Sequence, residues 1–203
     1  MLQSNGPSAL PNQEDFNFIE QIINNVKFPT ANEPMLGIEE VRDFQVGDGC
    51  IYSGQLEVES QTKHGFGAQI WPDGAKYVGM WVQGKAEGQG TFYHTNGDVF
   101  MGNFNNDKAN GSGKYVHRDG QVYEGLWLDD MQHGHGREEM PDGSSFEGQF
   151  ARGRKNGHGL YRWADQTMYE GQWKQGKIDG RGTYVWPDGR RYDGEWSKNK
   201  LHG

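Results

Sequence analysis

One spacing constrains this chain more than any other feature: an aromatic residue returns every 23 positions. Tyr77, Phe100, Tyr123, Phe146, Tyr169 and Tyr192 mark it, and Tyr52 leads an earlier copy that is two residues longer. A fixed period of this size means that one supersecondary unit is repeated. The copy from Tyr169 to Arg191 shows the unit most clearly. Tyr169, Gly171 and Trp173 are two apart, so on a strand they share a face. Gly180, Gly182, Tyr184 and Trp186 repeat that step on a second strand, with Gly176 in the turn between. Asp188-Gly189 is a hairpin-turn dipeptide that leads into Tyr192. Each unit is therefore a two-stranded hairpin joined to the next by a tight turn.

Glycine inside a strand weakens it and marks a close approach. Gly171, Gly180 and Gly182 leave room on the aromatic face for rings from adjacent strands to lie flat. One hairpin is marginal alone, so stacked repeats must supply the missing burial. Composition agrees: only 33% of the 203 residues are hydrophobic, while aromatics make up 13% and glycines number 32. That is poor material for an aliphatic core and good material for a thin sheet held by rings. The expected fold class is all-β, an elongated single-layer antiparallel meander of about fourteen strands, with a short N-terminal helix.

The domains follow. Residues 1–40 form an arm that carries an amphipathic helix at about 15–26, then a connector with Pro29 and Pro34. Phe16, Ile19, Ile22, Ile23 and Val26 recur at helical spacing, and Asn12 with Asp15 resembles a capping box. This helix either folds back on the sheet or docks on another protein. Its acidic polar face, Glu14, Asp15 and Glu20, speaks against a membrane surface. Residues 41–51 read as a capping half-repeat whose strand, 41–46, shields the first hairpin. Residues 52–203 are the repeats, with a partial copy from Tyr192. The chain stops where that copy's second strand should start, so its last strand is expected to lack a partner.

The pattern Tyr-x-Gly-x-Trp-(x)6-Gly-x-Gly-(x)3-aromatic-x-Asp-Gly resembles the MORN (membrane occupation and recognition nexus) repeat, in six full copies and one partial copy from Tyr52 to Gly203. The departures are Leu56, the longer first turn, Glu138 in an aromatic slot and Gln166 in place of a turn glycine. The resemblance implies a twisted single-layer antiparallel sheet and leaves function open. Its members include radial spoke head proteins of cilia, junctophilins, alsin, plant phosphoinositide kinases and apicomplexan division scaffolds.

No catalytic arrangement stands out, and no enzyme or cofactor is expected. His64, His133 and His158 share one repeat position, and His94 and His117 fill the slot of Trp71, Trp163 and Trp186. They read as repeat filler, not as metal ligands. Gly-x-Gly opens a strand and no Gly-Lys-Ser/Thr follows, which argues against nucleotide binding. The formal charge of −8 argues against nucleic acid. Cys50 stands alone, so no internal disulfide forms, and a cytoplasmic setting is expected.

The expected function is a structural scaffold of a large cytoskeletal assembly. A ciliary axoneme is favoured by analogy with small repeat-only members. Partner proteins would bind the aromatic face: Tyr77, Trp81, Phe100, Phe104, Tyr123, Trp127, Phe146, Phe150, Trp163, Tyr169, Trp173, Tyr184, Trp186, Tyr192 and Trp196. No small-molecule substrate is expected. The alternative is a membrane–cytoskeleton tether. It would hold acidic phospholipid through Arg152, Arg154, Lys155, Lys177, Arg190 and Arg191, in the C-terminal part whose residues 131–203 carry 12 basic and 10 acidic groups. On the opposite face the early repeats carry Val78, Met80, Val82, Met101, Leu126 and Leu128, where later ones carry charges.

Overall fold

A computed structural model describes residues 37–202, and the expected helix at 15–26 lies outside them. Fifteen strands follow chain order in one open antiparallel sheet, and no helix occurs among the described residues. The described residues divide into two units, 37–99 with 104–107, and 100–103 with 108–202.

The first unit holds β1 (Ile38–Val46), β2 (Cys50–Glu57), β3 (Thr62–Ile70), β4 (Lys76–Val82) and β5 (Lys85–Tyr93). Its glycines pair across the strands: Gly54 faces Gly67, Gly67 faces Gly79, and Gly79 faces Gly90. Residues directly opposite share a face, so the pairs cut a trough across the sheet. Rings fill it. Trp81 meets Tyr52 and Tyr77 edge-to-face, with centroids 5.7 and 4.9 Å apart. The Tyr77 hydroxyl donates to the Met80 carbonyl at 3.0 Å, and the Trp81 indole donates to the Gly67 carbonyl at 3.1 Å. The rings thus satisfy their polar ends on their own backbone. Leu56 takes the second ring position of the first copy and is fully buried. β1 pairs with β2 across a bulge between Val41 and Phe44, where Asp43 has φ +49°.

The second unit repeats this plan. It contains β6 (Val99–Asn105) in part, then β7 (Lys108–Val116), β8 (Val122–Leu128), β9 (Met131–Glu139), β10 (Ser145–Ala151), β11 (Arg154–Arg162), β12 (Met168–Lys174), β13 (Lys177–Val185), β14 (Arg191–Ser197) and β15 (Lys200–His202). Trp127 lies edge-on to Phe100 and Tyr123, Trp173 to Phe146 and Tyr169, and Trp196 to Tyr169 and Tyr192. Turn residues tie each hairpin to the one before. Asp130 accepts from the Ala109 amide at 2.8 Å and Asn199 from the Ile178 amide at 2.8 Å, while Gly153 and Gly176 give only a backbone bond to Gln132 and Lys155.

Two expectations change. The strand from Arg191 does have a partner, because β15 pairs Leu201 with Trp196 and Lys200 with Ser197. The turn Lys198-Asn199 closes that hairpin within two residues, which leaves enough chain for a short strand. The departure at Gln166 does not break the turn. Gln166 takes φ +72°, its amide donates to the Trp163 carbonyl, and Asp165 accepts from the Thr167 amide at 2.9 Å. The equivalent Gly143 and Gly189 have φ +85° and +86°. A left-handed side chain costs about 1–2 kcal/mol, and glycine loses back about 0.5–1 through unfolded-state entropy. Gln166→Gly is therefore expected to add roughly 0.5–1 kcal/mol, read as a higher denaturant midpoint at unchanged slope.

Candidate protein-interaction groove

The aromatic face has two layers. Tyr77, Trp81, Phe100, Phe104, Tyr123, Trp127, Phe146, Phe150, Tyr169, Trp173 and Trp196 are all buried. They come from the first strand of each hairpin and lie over the glycine trough; a Cβ on Gly148 would stand 2.8 Å from the Phe146 ring edge. Burial pushes the phenols of Tyr123 and Tyr169 up to about 12, so they stay neutral at physiological pH. These rings are the core. Of the expected contact residues, only Trp163, Tyr184, Trp186 and Tyr192 remain half-buried and reachable.

The outer layer comes from the second strands. Tyr161 and Trp163 end β11 and its turn, and Tyr184 and Trp186 end β13 and its turn. Trp163 touches Tyr161 at 4.5 Å and Tyr184 at 5.4 Å, and Tyr184 touches Trp186 at 4.8 Å, all tilted or edge-on. Leu201 and these four rings wall an open groove of about 510 Å³, floored by Trp173, Ile178 and Trp196. Tyr161 holds the slot of Tyr184 one repeat earlier, but the aromatic pattern alone does not reveal Ile178 and Leu201 as lining residues. The hairpin pairing does, because Trp173 faces Ile178 and Trp196 faces Leu201.

The outer row breaks at β9. There Glu138 stands in the ring slot and Met140 in the tryptophan slot. Glu138 is buried, and accepts from Gln121 Nε2 at 2.8 Å and from Lys155 Nζ at 2.5 Å. Lys155 also lies 5.1 Å from the Phe146 ring centroid. A related substitution occurs in the first unit. Gln69 fills the ring slot, and Lys63 donates to it while lying 3.6 Å over Trp81. Burial pushes Lys63 down to about 8.

This geometry corrects the basic set. Lys155 is not a solvent-facing turn residue: it is the second residue of β11, its side chain only 19% exposed and held by Glu138. Arg190 and Arg191 are exposed but paired with Asp188 and Asp193. Arg152, Arg154 and Lys177 are exposed and form no ion pair among the described residues. Among those residues no three His, Cys, Asp or Glu side chains gather as a metal site would require.

Comparison with known proteins fits this picture. The family model of the MORN repeat matches residues 62–76, 77–99, 100–122, 123–145, 146–168, 169–190 and 192–203. No curated protein matches the chain. Among solved structures it is similar to the G-box domain of the microcephaly protein CPAP, with 19% identity over 74% of this chain and 77% of that one and a TM-score of 0.45. It is also similar to the Drosophila melanogaster SAS-4 TCP domain in complex with a proline-rich motif of Ana2, with 13% identity, 82% of each chain covered and a TM-score of 0.44. At TM-scores below 0.5 these are partial likenesses of an open sheet and say nothing about what this chain binds.

Proposed function

The chain belongs to the MORN-repeat family, and on that footing we propose that it is a non-enzymatic scaffold that holds a segment of a partner protein in the groove of Tyr161, Trp163, Tyr184 and Trp186. One observation carries this reading. In a face whose inner rings are consumed by the fold, four adjacent rings stay half-exposed around an open, mainly apolar concavity. Large rings at the centre of a concave patch are the residues on which binding energy concentrates. Ring edges and faces at 4.5–5.4 Å already hold one another in place, so a ligand would order few side chains on binding. The assembly favoured is a cytoskeletal one in the cytoplasm, the ciliary axoneme first among family contexts. That choice is analogy.

Capture from ciliated cells tests it, with wild type and Trp163→Ala/Trp186→Ala as baits. Truncating two anchors is expected to cost at least about 2 kcal/mol each, a loss of affinity of roughly 30-fold per ring and ~10³-fold for the pair where the losses add. Recovery of the same partners by both baits would sink the proposal. A tether to acidic phospholipid is the second reading, and the three exposed, unpaired basic residues Arg152, Arg154 and Lys177 favour it. At about 1 kcal/mol each they give weak, salt-sensitive attachment, which flotation with anionic vesicles would read.

A further inference from the structure

We propose that the face of the first unit opposite the rings is the docking site of the chain's own N-terminal segment 15–26. The starting point is an anomaly of burial. Gly67 faces Gly79 on the ring side, so Ala68, Ile70 and Val78 point to the other side. Ala68 is 2% exposed and Ile70 is 0% exposed. At the same repeat slots elsewhere, Thr91, Lys114, Leu160 and Thr183 are half-buried and Arg137 is exposed, against Ala68. Tyr93, Val116 and Val185 are half-buried, and Glu139 and Arg162 are exposed, against Ile70. Within the first unit β1 to β5 pair side by side in chain order, so none of them forms a second layer over this face. Complete burial at these two slots therefore calls for a cover that the other repeats lack.

The patch is shaped for an apolar cover. Ile51 faces Ile70, Ala68 faces Val78, and Phe66 faces Met80, giving three adjacent rows across β2, β3 and β4. In later repeats the slot of Val78 holds Glu124, Glu147, Glu170 and Asp193. Only the early repeats offer apolar side chains where a cover would press.

The chain supplies one segment of matching character. In the sequence Phe16, Ile19, Ile22, Ile23 and Val26 recur at helical spacing, so a helix there would gather all five on one side. Ten residues separate Val26 from Gly37, and the eleven Cα steps between them span at most ~38 Å. Crossing from β1 to β4 requires about 15 Å, so the segment reaches. A tether of this length presents it at roughly mM effective concentration, which favours it over a second copy or a free partner.

The test uses the full chain with the photo-cross-linker p-benzoylphenylalanine in place of Met80, a rim residue that remains 41% exposed. The expected product is a monomer-mass adduct with its cross-link inside 15–26, lost in the Phe16→Asp/Ile19→Asp/Ile22→Asp variant. Those substitutions lie outside the sheet, and unchanged tryptophan fluorescence confirms that the sheet still folds. Adducts between two copies, adducts elsewhere in the chain, or adducts at 15–26 that survive the triple substitution each overturn the proposal. The ring groove is built from residues of the second unit, so Trp163→Ala/Trp186→Ala should leave this cross-link intact.

Discussion

Gly79→Ala is expected to destabilise the first unit by about 4 kcal/mol or more and to leave it largely unfolded at 37 °C. A Cβ at this position would stand 2.5 Å from the Tyr77 hydroxyl oxygen, 2.6 Å from the Gly90 Cα and 2.7 Å from the Gln89 carbonyl oxygen. Two of those three atoms are backbone, so no rotamer change relieves them. The third belongs to a ring that is 1% exposed and wedged against Trp81 and Phe104. Overpacking where neighbours can shift costs about 1–3 kcal/mol; here the strands themselves would have to part. Gly84→Ala is the control. Its Cβ would meet nothing within 4 Å, and only its φ of +81° opposes a side chain, a cost of about 1–2 kcal/mol. Chemical denaturation of both variants separates the two reasons for a glycine. Equal losses at the two positions would mean that the trough does not hold the rings as described.

That contrast shows what could be read in advance. The sheet was legible because three independent signals share one period. Tyr169, Gly171 and Trp173 give the face, Gly182 gives the trough, and Asp188-Gly189 gives the turn. The structure places Gly171 against Gly182 and Gly182 against Gly194, as that alternation requires. The short β15 was missed because the second strand was expected to open at the slot of Gly180, whereas it opens three residues earlier, at Lys177 in β13 and at Lys200 in β15. Gln166 was flagged as an irregularity, yet the turn survives it. Asp165 and the backbone bond to Trp163 fix the conformation, and the glycine only makes it cheaper.

The groove was less legible, for a physical reason. Alternation along a strand says which side a ring takes, but not how deep it sits. Trp173 and Trp163 lie on the same side, and one is buried while the other is half-exposed. Depth is set by the hairpin partner: Trp173 lies across from Gly157 and Ile178, over the trough, whereas Trp163 sits past the strand end in a turn. Lys155 misled for a related reason. Its neighbours are exposed cations, Arg152 in the turn and Arg154 at the first position of β11. One step along, Lys155 falls on the ring side, where the missing ring at Glu138 leaves a space that its side chain fills.

The Glu138–Lys155 pair carries the second large effect. Lys155→Ile is expected to cost about 3 kcal/mol, because it strands a carboxylate that is 8% exposed with only Gln121 as donor. The loss falls at the low end of the range for a broken buried pair, because the lysine side chain keeps 19% exposure. The double variant Glu138→Tyr/Lys155→Ile should recover that loss and exceed wild type by about 1–4 kcal/mol, as replacement of a buried pair by apolar groups often does. It installs the combination already present one repeat on, where Tyr161 and Ile178 occupy these slots. Gln121 is half-buried and can turn its amide to water. The four proteins form a double-mutant cycle, read by chemical denaturation. A double variant less stable than both single variants, or a Lys155→Ile loss below about 1 kcal/mol, would show that the pair is a surface contact and not a buried one. The same double variant extends the outer ring row through β9 toward Tyr115. If the native break at Glu138 marks where the groove begins, the variant should accept a longer partner segment while still binding through Trp163 and Trp186.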